Sequence, residues 1–194
     1  MPSVPAMTLA DALQVLHEIR DQQIVVSSMS AARDWMQRST HPLNFHYIPS
    51  TMGGGFPLGL GIALAQPQRD VIVLNGDGCV LMNLGSLITS AVSGATNFTG
   101  IIIDNGNYET TGGQQLATTG SSIELADVAR AAHFPTVGEF TAADVWRTEI
   151  GAVLAAPGPR CIVLKVSSEG DNTLRSPGPM PLRVSEFRAA IASK

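Results

Sequence analysis

Four short runs constrain the fold most. IVV (24–26), VIVL (71–74), III (101–103) and CIVL (161–164) are apolar without a break. A strand with one wet face alternates apolar and polar residues, whereas a strand apolar throughout is covered on both faces. Such strands belong to parallel sheets whose crossovers are helices. The stretches between them carry helical spacing. Leu9, Leu13, Leu16 and Ile19 repeat at that spacing over 8–20, with Thr8 as N-cap. Further helices are expected over 30–38, 56–65, 79–92, 123–132 and 142–155. FHYI (45–48) and PTVGE (135–139) read as additional strands. Within 79–92, the side chains of Val80, Leu84, Leu87, Ile88, Ala91 and Val92 share one face, expected against the sheet. The expected class is α/β, a three-layer parallel sheet with helices on both faces. Residues 1–194 read as a single domain, in which a Pro/Gly-rich segment (167–183) precedes a closing helix (184–193).

Composition narrows the setting. Hydrophobic residues make up 44% and charged residues 14%, so the surface is poor in charge and suits permanent contact with other subunits. Net charge is −4, and the only lysines are Lys165 and Lys194, so no nucleic-acid footprint is expected. Cys79 and Cys161 form no CxxC, which leaves disulfide frameworks and metal clusters unsupported. The first residues lack the pattern of a signal peptide, and no apolar run reaches membrane-spanning length. The expectation is a cytoplasmic protein with no membrane partner.

In doubly wound sheets ligands bind beyond the carboxyl ends of the strands. Three such positions hold unusual text: STMGGG (50–55), NGDGC (75–79) and DNGNYETTGGQQ (104–115). Gly76 and Gly78 flank Asp77 where a buried strand meets a helix, so the backbone can turn sharply and approach a ligand. The start of that helix suits a phosphate. A carboxylate beside a phosphate is tolerable when a divalent cation lies between them. Asn105, 28 residues after Asp77 at the end of the next strand, offers a side-chain carbonyl, and Asn107 offers a main-chain one. Two diphosphate oxygens and a water would complete an octahedron for Mg²⁺. Alone, a GDG or an Asn-Gly is an ordinary turn. The combination carries the weight, because both follow apolar strands separated by a helix of suitable length.

The spacing of GDG and the asparagine motif resembles the signature of thiamine diphosphate enzymes. GDGCVLMNLGSL and DNGNYETTGGQ are similar to the β subunit of sulfopyruvate decarboxylase and the C-terminal part of phosphonopyruvate decarboxylase. By that resemblance the chain is a diphosphate-binding domain that takes thiamine diphosphate and Mg²⁺. Asp77, Asn105 and Asn107 are then the metal ligands, and Gly76, Gly78 and Cys79 lie by the diphosphate. Ser50, Thr51, Met52 and Gly53 border the cofactor, with Met52 under its bend and the Ser50 carbonyl accepting from the 4′-amino group. Tyr108 and Glu109 follow the metal motif and border cofactor and substrate. Asp104 stands where most families have a first asparagine. The implied reaction is non-oxidative decarboxylation of a small anionic 2-oxo acid to an aldehyde. Alternatives are a carboligase of the acetolactate synthase kind, a 2-oxo acid oxidoreductase subunit and a silent scaffold. The oxidoreductase reading is weakened by the lack of Cys clusters, and no G-x-G-x-x-G supports a nicotinamide site.

Thiamine chemistry requires a carboxylate at N1′ of the pyrimidine, and in the family a glutamate of a second, pyrimidine-binding domain supplies it. This chain's glutamates, at 18, 109, 124, 139, 149, 169 and 186, do not occupy such a place. The resemblance therefore implies a hetero-oligomer with a pyrimidine-binding partner subunit. Four residues keep two readings each. Glu109 is a proton-transfer group or a solvated loop carboxylate. His46 is catalytic or a structural strand histidine. Arg33 greets an anionic substrate group or forms a surface salt bridge. Cys79, at a helix start where thiol pKa values fall, is a nucleophile or a diphosphate neighbour, and the second is preferred. Cys161 is expected in the core.

Overall fold

Six parallel strands form one sheet in the order β2-β1-β3-β4-β8-β7. They are β1 (Ile24–Ser28), β2 (Asn44–Tyr47), β3 (Val71–Gly76), β4 (Phe98–Asp104), β7 (Thr136–Phe140) and β8 (Arg160–Lys165). The computed structural model describes residues 7–167 and 176–192. The helices are α1 (Leu9–Ile19), α2 (Met29–Arg38), α3 (Gly55–Ala65), α4 (Asp77–Met82), α5 (Gly85–Val92), α6 (Leu125–Ala131), α7 (Ala143–Ala155) and α8 (Met180–Ala192). None of the described helices is long and apolar enough to cross a membrane.

The pleat sorts the core into two layers. On β8, Cys161 and Val163 point to one face and Ile162 and Leu164 to the other. Val26, Val73 and Ile102 share the first face with Phe56 and Leu60 of α3, Leu87 of α5 and Leu125 of α6. Val25, Ile72, Leu74 and Ile101 share the second with Leu13 of α1, Trp35 of α2 and Trp146 of α7. The three-layer expectation is therefore met, since continuous apolar strands have a helix layer to bury against on each side.

Helix α1 starts where the sequence places it, on a capping box in which Thr8 Oγ1 accepts from the Asp11 amide at 3.0 Å. Helix α3 lies directly on β3 because Gly59 has no side chain. A Cβ there would sit 2.1 Å from Cγ2 of Val73. Gly59→Ala is expected to push the helix off the strand and to destabilise the fold by about 1–3 kcal/mol, measured by urea unfolding.

Three expectations need correction. The single helix over 79–92 is two, broken at Asn83 and Leu84. Asn83 turns its side chain to donate to the Gly53 carbonyl at 3.0 Å, and its own carbonyl accepts from Ser86. That long-range bond outweighs helix continuity. The break also changes which side chains face the sheet. Val80 and Leu87 are buried as expected, but Leu84, Ile88 and Val92 are exposed. The Gly/Thr-rich stretch 106–122, which by its composition reads as a loop, holds a small hairpin, β5 (Asn107–Tyr108) with β6 (Gln114–Gln115). The closing helix begins at Met180 rather than 184, because Pro181 is acceptable in a first turn, where its missing N–H has no helical partner to lose. Part of the Pro/Gly-rich segment, 168–175, lies outside the described residues.

Candidate active site

The carboxyl ends of β1, β3 and β4 open on one cleft. It is lined by Met29, Ser30 and Ala31 from the start of α2, and by Met52 from the loop after β2. Gly76, Asp77, Gly78 and Cys79 come from the β3–α4 junction, and Ile103, Asn105 and 107–111 from the end of β4 and the hairpin. The fold thus brings together Met52, Gly76, Asp77, Gly78, Cys79, Asn105, Asn107, Tyr108 and Glu109 of the residues read from the sequence.

Asp77 is at the centre, 2% exposed. One of its oxygens accepts from the Gly78 amide at 2.7 Å. The other accepts from Asn105 at 3.0 Å and Gly106 at 2.7 Å. These bonds tie the β3 turn to the β4 turn. Burial pushes the Asp77 carboxyl up to about 7 from an ordinary 3.8, and nearby Asp104 adds to the rise. The amides of Gly78 and Gly106 oppose it. Among the described residues no basic group counters the charge, which makes this a place for a cation. The next donors are also oxygens. Asn105 Oδ1 accepts from the Asn107 amide at 2.9 Å, and the Asn105 carbonyl accepts from the Asn107 side chain at 2.9 Å. An all-oxygen set of this kind fits a hard divalent cation.

Two glycines have different reasons. A Cβ on Gly78 would meet Tyr108 Cε1 at 2.5 Å, so Gly78 lets the hairpin close over the α4 start. A Cβ on Gly76 would meet nothing within 4 Å, so protein does not fill the space beside it. That is the cradle a phosphate group fits. Gly53 has φ +85°, and a Cβ there would meet Asn83 Cβ at 2.7 Å. Its carbonyl is the one held by Asn83, which fixes Met52 at the cleft wall. Thr51 is exposed and its amide donates to Tyr47 Oη at 3.3 Å, while Ser50 Oγ reaches Met29 Sδ at 3.5 Å. Ser50, Thr51 and Gly53 therefore support the loop without lining the cleft.

Glu109 is buried at the cleft, not solvated. His46 is elsewhere. Its Nδ1 is 2.9 Å from Ser27 Oγ, and it lines a separate cavity of about 390 Å³ with His41 and Arg183. Burial and, second, the Arg183 guanidinium push His46 down to about 4 from 6.5. The fold holds it neutral, while the unfolded chain takes up a proton below about 6.5. Stability from this group is complete above that pH and declines as the pH falls towards 4, by up to about 3 kcal/mol. Thermal melts between pH 4 and 7 are expected to show this slope, and His46→Gln to flatten it.

Arg33 forms the salt bridge of its second reading, with Asp34, but away from the surface. It is buried, with Nε 2.9 Å from Asp34, and does not line the cleft. Cys79 departs from helix-start behaviour. Burial pushes its thiol up, and Asp77 adds to the rise. Burial pushes Cys161, in the core as expected, up to about 12. Met29, Ser30 and Ala31 line the cleft without belonging to any of the three motifs, and what marks them in the sequence is position, at the opening of a helix directly after a buried strand. Met29 has φ +52°, a strained value for a side-chain-bearing residue, at the mouth of the cleft.

The chain is similar to known proteins. Residues 24–164 match the family described as thiamine pyrophosphate enzyme, C-terminal TPP binding domain. Phosphonopyruvate decarboxylase of Streptomyces viridochromogenes is 33% identical over 90% of this chain and 43% of its own length. Sulfopyruvate decarboxylase subunit beta of Methanococcus maripaludis is 29% identical over 86% of this chain and 88% of its own. The chain spans about two fifths of the phosphonopyruvate decarboxylases that it matches. In structure, 4-hydroxybenzoylformate decarboxylase of Rhodococcus jostii RHA1 superposes with a TM-score of 0.69 at 21% identity, covering 89% of this chain and 34% of that one. That likeness speaks for the fold. The chain belongs to the thiamine pyrophosphate enzymes, and residues 24–164 are the C-terminal cofactor-binding domain of that family.

Proposed function

We propose that this chain is the diphosphate-binding subunit of a heteromeric decarboxylase that converts a small anionic 2-oxo acid to an aldehyde. The observation that carries the reading is Asp77, a buried carboxylate with no basic partner among the described residues, tied to Asn105 at the end of the neighbouring strand. Asp77, the Asn105 side chain and the Asn107 carbonyl would hold Mg²⁺, and Gly76 and Gly78 would admit the diphosphate. Bound thiamine diphosphate supplies the electron sink that lets a 2-oxo acid lose CO₂. This chain's residues bind and orient. Met52, fixed through Gly53 and Asn83, supports the ring system with a soft, unbranched side chain. Glu109, buried in the cleft, would hold or pass a proton beside the substrate.

The cleft encloses only about 40 Å³, far less than an organic cofactor needs. Its remaining wall, and the carboxylate that activates the pyrimidine, come from a partner subunit in this reading. The similarity to chains named as a subunit beta supports this, as does the lack of a second glutamate among the described residues that line the cleft. Sulfopyruvate and phosphonopyruvate, named in the relatives, support a three-carbon 2-oxo acid with a second anionic group as the substrate class.

The test is CO₂ release from a panel of 2-oxo acids, with this chain alone and with the pyrimidine-binding subunit of the same genome. Turnover that requires both chains and gives an aldehyde supports the reading. A 2-hydroxy ketone product would replace decarboxylase by carboligase, and no turnover by the assembled pair would leave only a scaffold.

A further inference from the structure

After the hairpin the chain passes through an uncharged turn outside the cleft. Residues 110–122 include no Asp, Glu, Lys or Arg. Thr119 is exposed there and does not line the cleft. It borders a separate cavity of about 270 Å³ with Asp104 and Lys165. Its hydroxyl nevertheless has a fixed partner, since Thr119 Oγ1 donates to the Gly106 carbonyl at 2.6 Å. That carbonyl belongs to the peptide unit whose N–H is the Asn107 amide. The unit is planar, so its C=O and N–H point in opposite directions. The N–H end donates to Asn105 Oδ1 at 2.9 Å.

A side-chain amide oxygen has two lone pairs. The Asn107 amide takes one on Asn105 Oδ1, and the direction of that bond decides where the other is offered. A donor at the carbonyl end of the peptide also strengthens the N–H at its far end, because linked hydrogen bonds polarise one another. The turn is held from both sides. Asp77 accepts from the Asn105 and Gly106 amides, and the Leu116 amide donates to the same Gly106 carbonyl at 3.0 Å. Gly106 lies at φ +72°, and a Cβ there would come 3.0 Å from Thr119 Oγ1. Glycine and threonine are therefore matched, since a residue without a side chain lets the hydroxyl approach. Leu116 already satisfies the carbonyl, so Thr119 adds direction more than stability.

We propose that Thr119 is a positioning residue for the metal site: through the Gly106–Asn107 peptide it fixes the direction of the Asn105 side-chain oxygen, one of the oxygens that would hold Mg²⁺. This inference rests on the functional reading above. Thr119 acts through Asn105 and stands outside the cleft, which is why its residue type and exposure alone give no hint of the role.

The test is the Mg²⁺ concentration that gives half-maximal thiamine diphosphate binding, read by calorimetry in the protein assembled with its pyrimidine-binding subunit. Thr119→Val keeps the shape and loses the donor, and is expected to raise that concentration about 10–100-fold. Thr119→Ser keeps the donor and is expected to stay within about threefold of wild type. Ser121→Ala is the control. Ser121 Oγ donates to the Thr118 carbonyl at 2.8 Å and accepts from the Ile123 amide at 3.1 Å, and neither bond reaches residues 105–107. This control is expected to need no more metal than wild type. Because Leu116 still satisfies Gly106, Thr119→Val is expected to melt within about 3 °C of wild type. Wild-type metal dependence in Thr119→Val overturns the proposal and leaves the functional reading standing. An equal rise in Ser121→Ala also overturns it, since the loop as a whole would then govern the metal. If valine unsettles the loop, serine decides: a Thr119→Ser protein as weak as the valine variant overturns the proposal. A wild-type assembly that binds no thiamine diphosphate with Mg²⁺ overturns the functional reading as well.

Discussion

Asp77→Asn is expected to weaken magnesium-supported binding of thiamine diphosphate about a thousandfold in the assembled protein, read by calorimetry. The reason is charge. The buried carboxylate faces Asp104 and, among the described residues, no basic group, so a cation is the partner its environment lacks. Asparagine keeps the size and can still accept from the Asn105 or Gly106 amide, but it brings no negative charge to the metal. Asp77→Ala is expected to do something further. It leaves the amides of Gly78, Asn105 and Gly106 without their acceptor and lowers fold stability by about 2–4 kcal/mol. The two variants therefore separate the electrostatic role of Asp77 from its structural one.

The second large effect is at Gly78. Alanine there puts a Cβ 2.5 Å from Tyr108 Cε1 and 3.3 Å from Leu116 Cδ2. Tyr108 must swing away, and its hairpin neighbour Asn107 moves with it. The expected result is a stability loss of about 1–3 kcal/mol together with loss of magnesium-dependent cofactor binding. Gly76→Ala meets no protein atom, so it should fold normally. If the cradle is for a phosphate, that variant nonetheless binds the cofactor less well. Urea unfolding and cofactor titration of both variants check this difference.

The sequence made these positions legible for physical reasons. A fully apolar run such as VIVL has to be covered on both faces, and its end has to turn. Glycines on either side of an acid at that end are readable without any structure. Asn105 was legible for the same reason one strand over. The start of α2 was not. Ser30 and Ala31 are small, common residues, and only the convergence of β1 with β3 and β4 makes them cleft residues. The break at Asn83 was also hidden, because its cause is a carbonyl 30 residues away. Leu84, Ile88 and Val92 misled for a further reason. Apolar periodicity says that a face is covered, but it does not say by which chain. His46 shows the converse. Its proximity in sequence to Ser50 and Met52 suggested the site, yet β2 turns it towards Ser27 and the cavity beside α8.

The most direct measurement is a calorimetric titration of thiamine diphosphate into the assembled protein, once with Mg²⁺ and once with a chelator. One cofactor per copy of this chain, bound only when the metal is present, is the expected result. Binding of equal strength in the chelator would contradict a metal bridge at Asp77 and Asn105, and with it the account of why a buried acid stands at the carboxyl end of β3.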